Sequence, residues 1–278
     1  MKYRHSFHAG NFADVHKHVT LLALLRALQR KEKGFLYLET HAGRGAYDLS
    51  QEASEAQGGI ARFAAGAASS EELRHYATRI DEYRRQENKP HAYPGSPLLA
   101  VSELRPQDRA VLIELMPAEA RALELAIGNN SRVRVERGDG FERLRAWLPP
   151  QERRGLTFMD PPYEETSRDF ERIGSALAAA LRRFQTGIIA VWYPIKDERT
   201  TAAWQAGLAR NLSCETLVGE LWLYPRDSRV ALNGSGMLIV NPPYLLAERM
   251  RVWLPELQAQ LDVARTGGTS IRSLGEIR

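Results

Sequence analysis

The chain has 278 residues, of which 44% are hydrophobic and 26% are charged, and its formal net charge is +4 at pH 7. This composition is typical of a soluble globular protein and excludes collagen-like, mucin-like and largely disordered chains. Because Cys214 is the single cysteine, an internal disulfide and a cysteine-rich zinc site are excluded. No apolar run approaches the roughly 18 residues that a membrane helix needs. We therefore expect a cytoplasmic enzyme, monomeric, with neither a membrane nor a metal as partner.

The first predicted element is a helix that Asp14 caps, with apolar residues at helical spacing from Val15 onward. Gly34 is a candidate for its left-handed C-terminal cap. Residues 35–40 follow as a short strand that is apolar on both faces, which is typical of a buried parallel strand. This strand leads directly into a glycine-rich turn at residues 41–45.

Residues 49–93 differ in amino-acid composition from the rest of the chain. Ala, Glu, Gln and Arg dominate, no buried strand is evident, and residues 71–86 have the pattern of a surface helix. We interpret this stretch as a helical insertion subdomain, so that residues 1–48 and 94–278 form the main domain.

After the insertion, strands and helices alternate along the chain. Such alternation predicts an α/β fold with a mostly parallel, doubly wound sheet, in which ligands bind beyond the carboxyl ends of the strands. Residues 266–278 are polar and contain Gly and Ser, so we expect a loose tail there. Strands are predicted at 109–115, 133–137, 155–159, 187–193, 214–223 and 235–240, the last two as an antiparallel pair, and helices at 97–104, 117–128, 141–148, 168–184, 200–209 and 245–261.

Two acidic positions follow the glycine turn at the spacing of a nucleotide site. Glu114 lies 69 residues after Gly45, and 45 of these belong to the insertion, so 24 remain. In nucleotide-binding sheets the acid that holds the ribose hydroxyls lies about 20 residues after the turn. Asp139 and Gly140, at the next strand end, then suit an adenine ring, because a carboxylate accepts from its amine and a backbone N–H donates to it.

The sharpest pattern is Asp160-Pro161-Pro162-Tyr163, named here the Asp160 loop, which follows a buried strand. Two prolines stiffen the loop and leave its carbonyls free to accept hydrogen bonds. The exocyclic nitrogen of adenine is a poor nucleophile because its lone pair is delocalised into the ring. The Asp160 carboxylate and the Pro161 carbonyl can accept its two N–H bonds and prepare the lone pair for attack on a methyl group. Tyr163 offers a face for an extruded base, worth roughly 1–3 kcal/mol.

A second, nearly identical tetrapeptide is Asn241-Pro242-Pro243-Tyr244, named here the Asn241 loop. It follows the last strand of the closing antiparallel pair, whereas the Asp160 loop follows a strand expected beside the one that carries the glycine turn. We therefore expect the Asn241 loop to point away from the ligand and to be structural.

Four of the seven histidines fall within the first 18 residues. A metal site is one interpretation, and it is disfavoured because no carboxylate cluster accompanies them. A polar lining over a pocket fits better, since Lys17 and His18 lie in the first turn of the helix, where the helix dipole attracts a cofactor carboxylate. Tyr3 and Arg4 precede that helix and can meet a nucleic-acid base or phosphate.

The chain resembles the RlmJ-type methyltransferases of bacteria, which methylate adenine N6 in 23S ribosomal RNA with S-adenosyl-L-methionine. The resemblance implies a Rossmann-like class I methyltransferase sheet with a small helical insertion. It also implies that Asp160 is catalytic, that Tyr3 meets the RNA, and that the cofactor is bound by His18, His41, Ser96, Glu114, Asp139 and Gly140. The matching stretches span the chain in order at residues 3–11, 40–43, 93–97, 135–137, 139–141, 153–156, 160–164 and 241–243.

Four alternatives remain open at this stage. An adenine-N6 methyltransferase of DNA usually adds a target-reading domain, and none is evident. A glutamine methyltransferase usually has Asn first in its Pro-Pro loop, where this chain has Asp160. A nicotinamide dehydrogenase needs a fuller glycine fingerprint and gives the Asp160 loop no role. An inactive RNA-binding module would tolerate replacement of Asp160.

Overall fold

The computed structural model describes residues 9–50, 56–63, 67–163, 166–225, 228, 230, 232–262 and 264–274. Most predicted elements are confirmed, and the strands predicted at 133–137 and 155–159 match the structure to the residue. In chain order the elements are α1 (Phe12–Gln29), β1 (Leu36–Glu39), β2 (Ala46–Asp48), α2 (Glu71–Glu87), β3 (Ala92–Pro94), α3 (Ser96–Glu103), β4 (Arg109–Glu114), α4 (Pro117–Ile127), β5 (Val133–Arg137), α5 (Gly140–Trp147), β6 (Gly155–Met159), α6 (Thr166–Arg183), β7 (Ile188–Ile195), α7 (Glu198–Asn211), β8 (Thr216–Trp222), β9 (Gly234–Val240), α8 (Leu246–Leu261) and β10 (Gly268–Ser273).

One sheet carries the fold, with the strand order β10-β8-β9-β7-β6-β1-β4-β5. The strands β5, β4, β1, β6 and β7 are parallel, and β9 runs antiparallel to both β7 and β8. The predicted mostly parallel sheet and its closing antiparallel pair are therefore confirmed. Because the chain continues to β4 on one side of β1 and returns to β6 on the other, the order reverses at β1. This reversal opens a crevice at the carboxyl ends of these strands.

Two hydrophobic layers cover the two faces of the sheet. Tyr37 of β1 packs into one layer with α1, α2, α3 and α8, whereas Leu36 and Leu38 pack into the other with α5, α6 and α7. Since both faces are covered, the central strands are apolar throughout instead of alternating. In the described part of the chain, no helix combines the length and the hydropathy that crossing a bilayer requires.

The predicted ends of the first helix are wrong by up to a turn. The N-cap of α1 is Asn11, whose side chain accepts from the backbone N–H of Asp14 at 2.9 Å. At the other end the cap is Arg30 in the right-handed region. Gly34 is needed for space instead, because a Cβ there would lie 2.2 Å from the carbonyl oxygen of Gln107.

The segment predicted as an insertion is joined to the rest by a two-stranded ribbon. The strands β2 and β3 pair antiparallel, with Ala46 opposite Pro94, so they bring the two ends of the segment together. The expected helix is present as α2, and Leu73, Tyr76 and Ile80 on one of its faces are buried. That face shares its hydrophobic layer with α1, so the segment packs directly against the helix whose first turns face the crevice.

The expected loose tail is wrong for residues 268–273. These residues form β10, which pairs antiparallel with β8 from Gly268 opposite Trp222 to Ser273 opposite Leu217. The stretch is polar because its side chains are only half-buried, and main-chain hydrogen bonds to a neighbouring strand do not require apolar side chains.

Candidate active site

A cavity of about 660 Å³ lies at the carboxyl edge of the sheet. Its volume suits a small-molecule ligand. Gln57, Gly58 and Arg62, from the segment predicted as an insertion, also line it, so this segment forms part of its wall. The wall also includes the start of α1, the turn after β1, the start of α3, the Asp160 loop, the end of β7 and residues between β8 and β9.

A chain of three charged side chains crosses the cavity wall. Lys17 Nζ lies 2.5 Å from Asp160 Oδ2 and 2.7 Å from Asp14 Oδ1. Asp14 and Lys17 are three residues apart on α1, so both side chains lie on the same face of the helix. The other oxygen of Asp14 accepts from the backbone N–H of Gly10 at 2.9 Å. The first turns of α1 thus hold a buried lysine directly against the predicted catalytic residue.

Asp14 and Lys17 are both charged at neutral pH. Burial raises the pKa of Asp14, but the charges of Lys17 and His18 and hydrogen bonds from Lys17 and Gly10 outweigh it and lower the pKa to about 2. Burial lowers the pKa of Lys17, whereas Asp14 and Asp160 raise it well above its usual value. Lys17 therefore holds a positive charge between two carboxylates.

The Asp160 loop is fixed at several points. Asp160 is 6% exposed, and its Oδ2 accepts from Lys17. Tyr163 is 5% exposed and its hydroxyl donates to the carbonyl of Trp192. Lys196 Nζ donates to the carbonyl of Tyr163 at 3.1 Å. The loop is thus tied both to α1 and to the neighbouring strand β7.

Three of the predicted cofactor residues line the same cavity as Asp160. His18 lies with Nδ1 2.9 Å from the Tyr93 hydroxyl, and burial lowers its pKa to about 3, so it is neutral. His41 follows β1, with Nδ1 2.8 Å from Thr40 Oγ1. Ser96, at the start of α3, also lines the cavity and donates to Glu39 Oε1 at 2.5 Å.

The other three predicted cofactor residues lie at neighbouring strand ends but outside the cavity lining. Glu114 at the end of β4 accepts from the N–H of Gly43 at 2.8 Å and from that of Met116 at 2.7 Å, so it braces the glycine turn. Gly140 lies so close to β1 that a Cβ would be 1.9 Å from the carbonyl oxygen of Thr40. Asp139 caps α5.

Asp139 opens onto a second groove, which lies between α5 and α6. Its Oδ1 accepts from the N–H of Phe141 at 2.9 Å, and Oδ2 lies 2.9 Å from Arg172 Nη2. The Phe141 ring contacts the His41 ring edge-on at 4.8 Å between centroids. Since His41 lines the first cavity and Phe141 the second groove, these two rings form the boundary between them.

Two sequence predictions fall elsewhere. The Asn241 loop lies at the opposite edge of the sheet, because β9 is antiparallel and Val240 pairs with Ile189 near the start of β7. Asn241 Nδ2 donates to the carbonyls of Gln185 and Gly187 at 2.9 and 2.8 Å, so the expected structural role is confirmed. Tyr3, predicted to contact RNA, lies outside the described residues.

The sequence did not predict the roles of two residues at the site, Lys17 and Glu39. Lys17 was expected near a cofactor carboxylate, whereas its amine binds Asp160. Glu39 was not considered. It is fully buried at the end of β1, and burial, followed by the Asp160 charge, raises its pKa to about 8 against the hydrogen bond from Ser96. A carboxylate that ends an otherwise apolar buried strand was the available signal.

This sheet order, with a crevice at β1 and an Asp-Pro-Pro-Tyr loop on the adjacent strand, defines a Rossmann-like class I methyltransferase fold. The family model described as "RsmJ: Ribosomal RNA large subunit methyltransferase D, RlmJ" matches residues 32–274. The chain therefore belongs to the RlmJ family.

Two bacterial proteins are similar to this chain over nearly its whole length. Ribosomal RNA large subunit methyltransferase J of Escherichia coli (strain K12) is 40% identical over 275 residues, which are 98% of each chain. The protein of the same name from Haemophilus influenzae is 38% identical over the same share of both chains. Among solved structures, protein LPL1258 of Legionella pneumophila has a TM-score of 0.87 at 35% identity and covers 98% of this chain and 100% of its own.

Proposed function

We propose that this protein transfers a methyl group from S-adenosyl-L-methionine to N6 of an adenine in 23S ribosomal RNA or its precursor. Membership of the RlmJ family supports a large-subunit ribosomal RNA substrate. The observation that carries the choice of adenine N6 is the Asp160 loop, which lies in the wall of the cavity with its carboxylate fixed by Lys17.

The cavity has features that fit this cofactor. Two helices begin at its wall, α1 after Asn11 and α3 after Gly95, and Gly95 supplies no side-chain cap. Helix N-termini bind carboxylates through free N–H groups and the helix dipole. The turn after β1 has Gly43 at φ 62° and Gly45 at φ 80°, which lets its backbone approach a ligand closely. His18, His41 and Ser96 would surround the amino-acid end of the cofactor.

The adenosine end of the cofactor would extend towards β4 and β5. Glu114 would hold the ribose hydroxyls, and Asp139 and Gly140 would hold the adenine ring. In the structure Glu114 accepts two backbone hydrogen bonds and Asp139 is paired with Arg172. Each carboxylate oxygen has two lone pairs, so further bonds from the cofactor require only small rotations.

The substrate amine would be held by two acceptors. Asp160 Oδ2 is bonded to Lys17. Oδ1 would accept one N–H of the amine, and the Pro161 carbonyl would accept the second. These bonds draw the amine out of conjugation with the ring and aim its lone pair. Lys17 keeps a positive charge beside Asp160 and fixes the carboxylate, so alignment and electrostatics are the main contributions of the protein.

When bound, S-adenosyl-L-methionine supplies an electrophilic methyl group on a sulfonium ion. Transfer of that methyl group to N6 would leave a neutral thioether and a positive charge on the amine. The Asp160 carboxylate, which would hold one N–H, would be the first acceptor of the proton that the amine then loses. Tyr163 in the same loop is buried against Phe170 and Trp192, so it would support the wall that receives the target base. Tyr3 would contact the RNA.

The test is methyl transfer with purified protein and labelled cofactor. The substrates are 23S ribosomal RNA from a strain lacking the enzyme and DNA of the same sequence, with nucleosides identified by mass spectrometry. We expect N6-methyladenosine at one position of the RNA, and the same experiment maps that position. Methylation of the DNA, or of a base other than adenine, would contradict the proposal.

A further inference from the structure

A large aromatic face, that of Trp192, lies beside the Lys17–Asp160 pair. Trp192, on β7, is half-buried and lines the cavity. Lys17 Nζ lies 5.7 Å from the centroid of its ring. The indole and the Asp160 carboxylate, which would hold the substrate amine, therefore both lie next to the Lys17 amine.

Tyr163 has little surface left for a base. Its ring meets Trp192 edge-on at 5.4 Å and 70° and Phe170 edge-on at 5.7 Å and 67°. With its hydroxyl bonded to the Trp192 carbonyl, Tyr163 is packed into the wall and supports Trp192 from behind. The larger exposed aromatic surface at this point of the cavity belongs to Trp192.

Two buried polar contacts hold the indole of Trp192 in place. Trp192 Nε1 donates to Ser235 Oγ at 2.9 Å, and Ser235 Oγ lies 2.9 Å from His16 Nδ1. Ser235 and His16 are both fully buried, and burial lowers the pKa of His16 to about 3, so its ring is neutral. Ser235 Oγ thus lies between the indole N–H and His16 Nδ1, and the three groups form one buried hydrogen-bonded chain that restrains the indole.

We propose that Trp192 is the stacking platform for the target adenine and that Ser235 and His16 position it. This proposal rests on the proposed function. A planar base stacked on the indole presents its exocyclic amine at the level of Asp160, and the rigid ring lowers the entropy lost on binding. Every base has a face that can stack, so Trp192 supplies affinity and orientation, whereas the Asp160 loop selects the amine.

The test uses an RNA fragment with 2-aminopurine at the adenine that nucleoside mapping identifies. This base is fluorescent, and an indole stacked on it quenches the emission, whereas a phenyl ring quenches it far less. We expect strong quenching by the wild-type protein and weak quenching by Trp192→Phe. For unmodified RNA, Trp192→Leu should raise KM roughly tenfold, with unchanged affinity for the cofactor by calorimetry. Ser235→Ala should raise KM by a smaller factor.

The matched control is Trp147→Phe. Trp147 is also half-buried and its indole N–H also donates to a side chain, Glu136 at 3.0 Å, but it lies outside the cavity lining. This variant should quench the probe and turn over like the wild type. If Trp192→Leu fails to fold, Trp192→Phe carries the test.

Equal quenching by wild type and Trp192→Phe, with wild-type turnover intact, would overturn the platform and leave the proposed function standing. A wild-type protein that does not methylate adenine in the RNA would refute the proposed function itself, and the platform with it.

Discussion

Two loops of almost the same sequence lie at opposite edges of one sheet. The Asp160 loop follows the parallel strand β6, and its carboxylate faces a cavity. The Asn241 loop follows the antiparallel strand β9, and its amide donates hydrogen bonds to two carbonyls in the turn before β7. Their tyrosines differ as strongly, since Tyr163 is 5% exposed and Tyr244 is 82% exposed.

The difference comes from strand direction. A loop after a parallel strand emerges beside β1, where the crevice opens, whereas a loop after an antiparallel strand emerges at the other edge. A Pro-Pro tetrapeptide is therefore only a stiff corner, and its chemistry depends on what the topology brings to it. For the Asp160 loop this is a buried lysine from α1, which is 143 residues away in sequence.

The largest expected effect is on catalysis. Asp160→Asn removes the charged acceptor and leaves the shape, so kcat should fall by roughly 10²–10⁴-fold while the cofactor still binds. Asn241→Asp should leave kcat unchanged. Methyl transfer measured beside calorimetric titration of the cofactor checks both. If the Asp160→Asn variant turned over at the wild-type rate, the two loops would be functionally alike and the catalytic assignment would be lost.

The two tyrosines should differ in stability. Tyr163→Ala removes a buried ring between Phe170 and Trp192 and should lower the free energy of unfolding by about 3 kcal/mol or more. Tyr244→Ala removes an exposed ring, so its effect should stay within about 0.5 kcal/mol. Urea denaturation of both variants measures the difference. Equal midpoints would mean that the Tyr163 ring is not packed as described.

A third prediction concerns how the stability of the protein changes with pH, because Glu39 is buried at the carboxyl edge of the sheet. The folded-state pKa of Glu39 is about 8 against a usual value of 4.5, so its contribution to stability is present below pH 4.5 and is lost as pH rises towards 8. Glu39→Gln keeps an acceptor for Ser96 and does not titrate. Its stability relative to wild type should therefore grow between pH 5 and pH 8, by on the order of 2 kcal/mol.

Denaturation at several pH values measures this trend, and Glu124→Gln, at an exposed position of α4, is the control. Parallel curves for Glu39→Gln and wild type across this range would show that Glu39 ionises in the folded protein as it does in water.

The smallest expected effect is on cofactor affinity, at the end of the proposed site that would hold the ribose. Glu114→Ala should weaken cofactor binding about tenfold through loss of the ribose contact and of the brace on Gly43, and should change RNA binding little. Calorimetry and filter binding measure the two affinities. Unchanged cofactor affinity would rule out the ribose role.

The sequence predicted the sheet and the edge at which the site lies, because buried parallel strands and stiff loops leave local patterns. The strands 133–137 and 155–159 and the opposite locations of the two loops follow from such patterns. Contacts between distant segments leave no such trace. The bond of Lys17 to Asp160 and the face of Trp192 depend on how α1 and β7 pack on the sheet. The β10 strand was missed because edge strands need no apolar pattern.

That edge strand has a consequence for truncated forms of the protein. By pairing along six residues of β8, β10 covers the amide groups of a strand whose side chains are largely buried. A chain shortened before Gly268 would expose those unpaired amide groups along an apolar strand, which is the arrangement that favours pairing with another molecule. Residues 268–273, which lie outside the cavity lining, would thus protect this edge of the sheet.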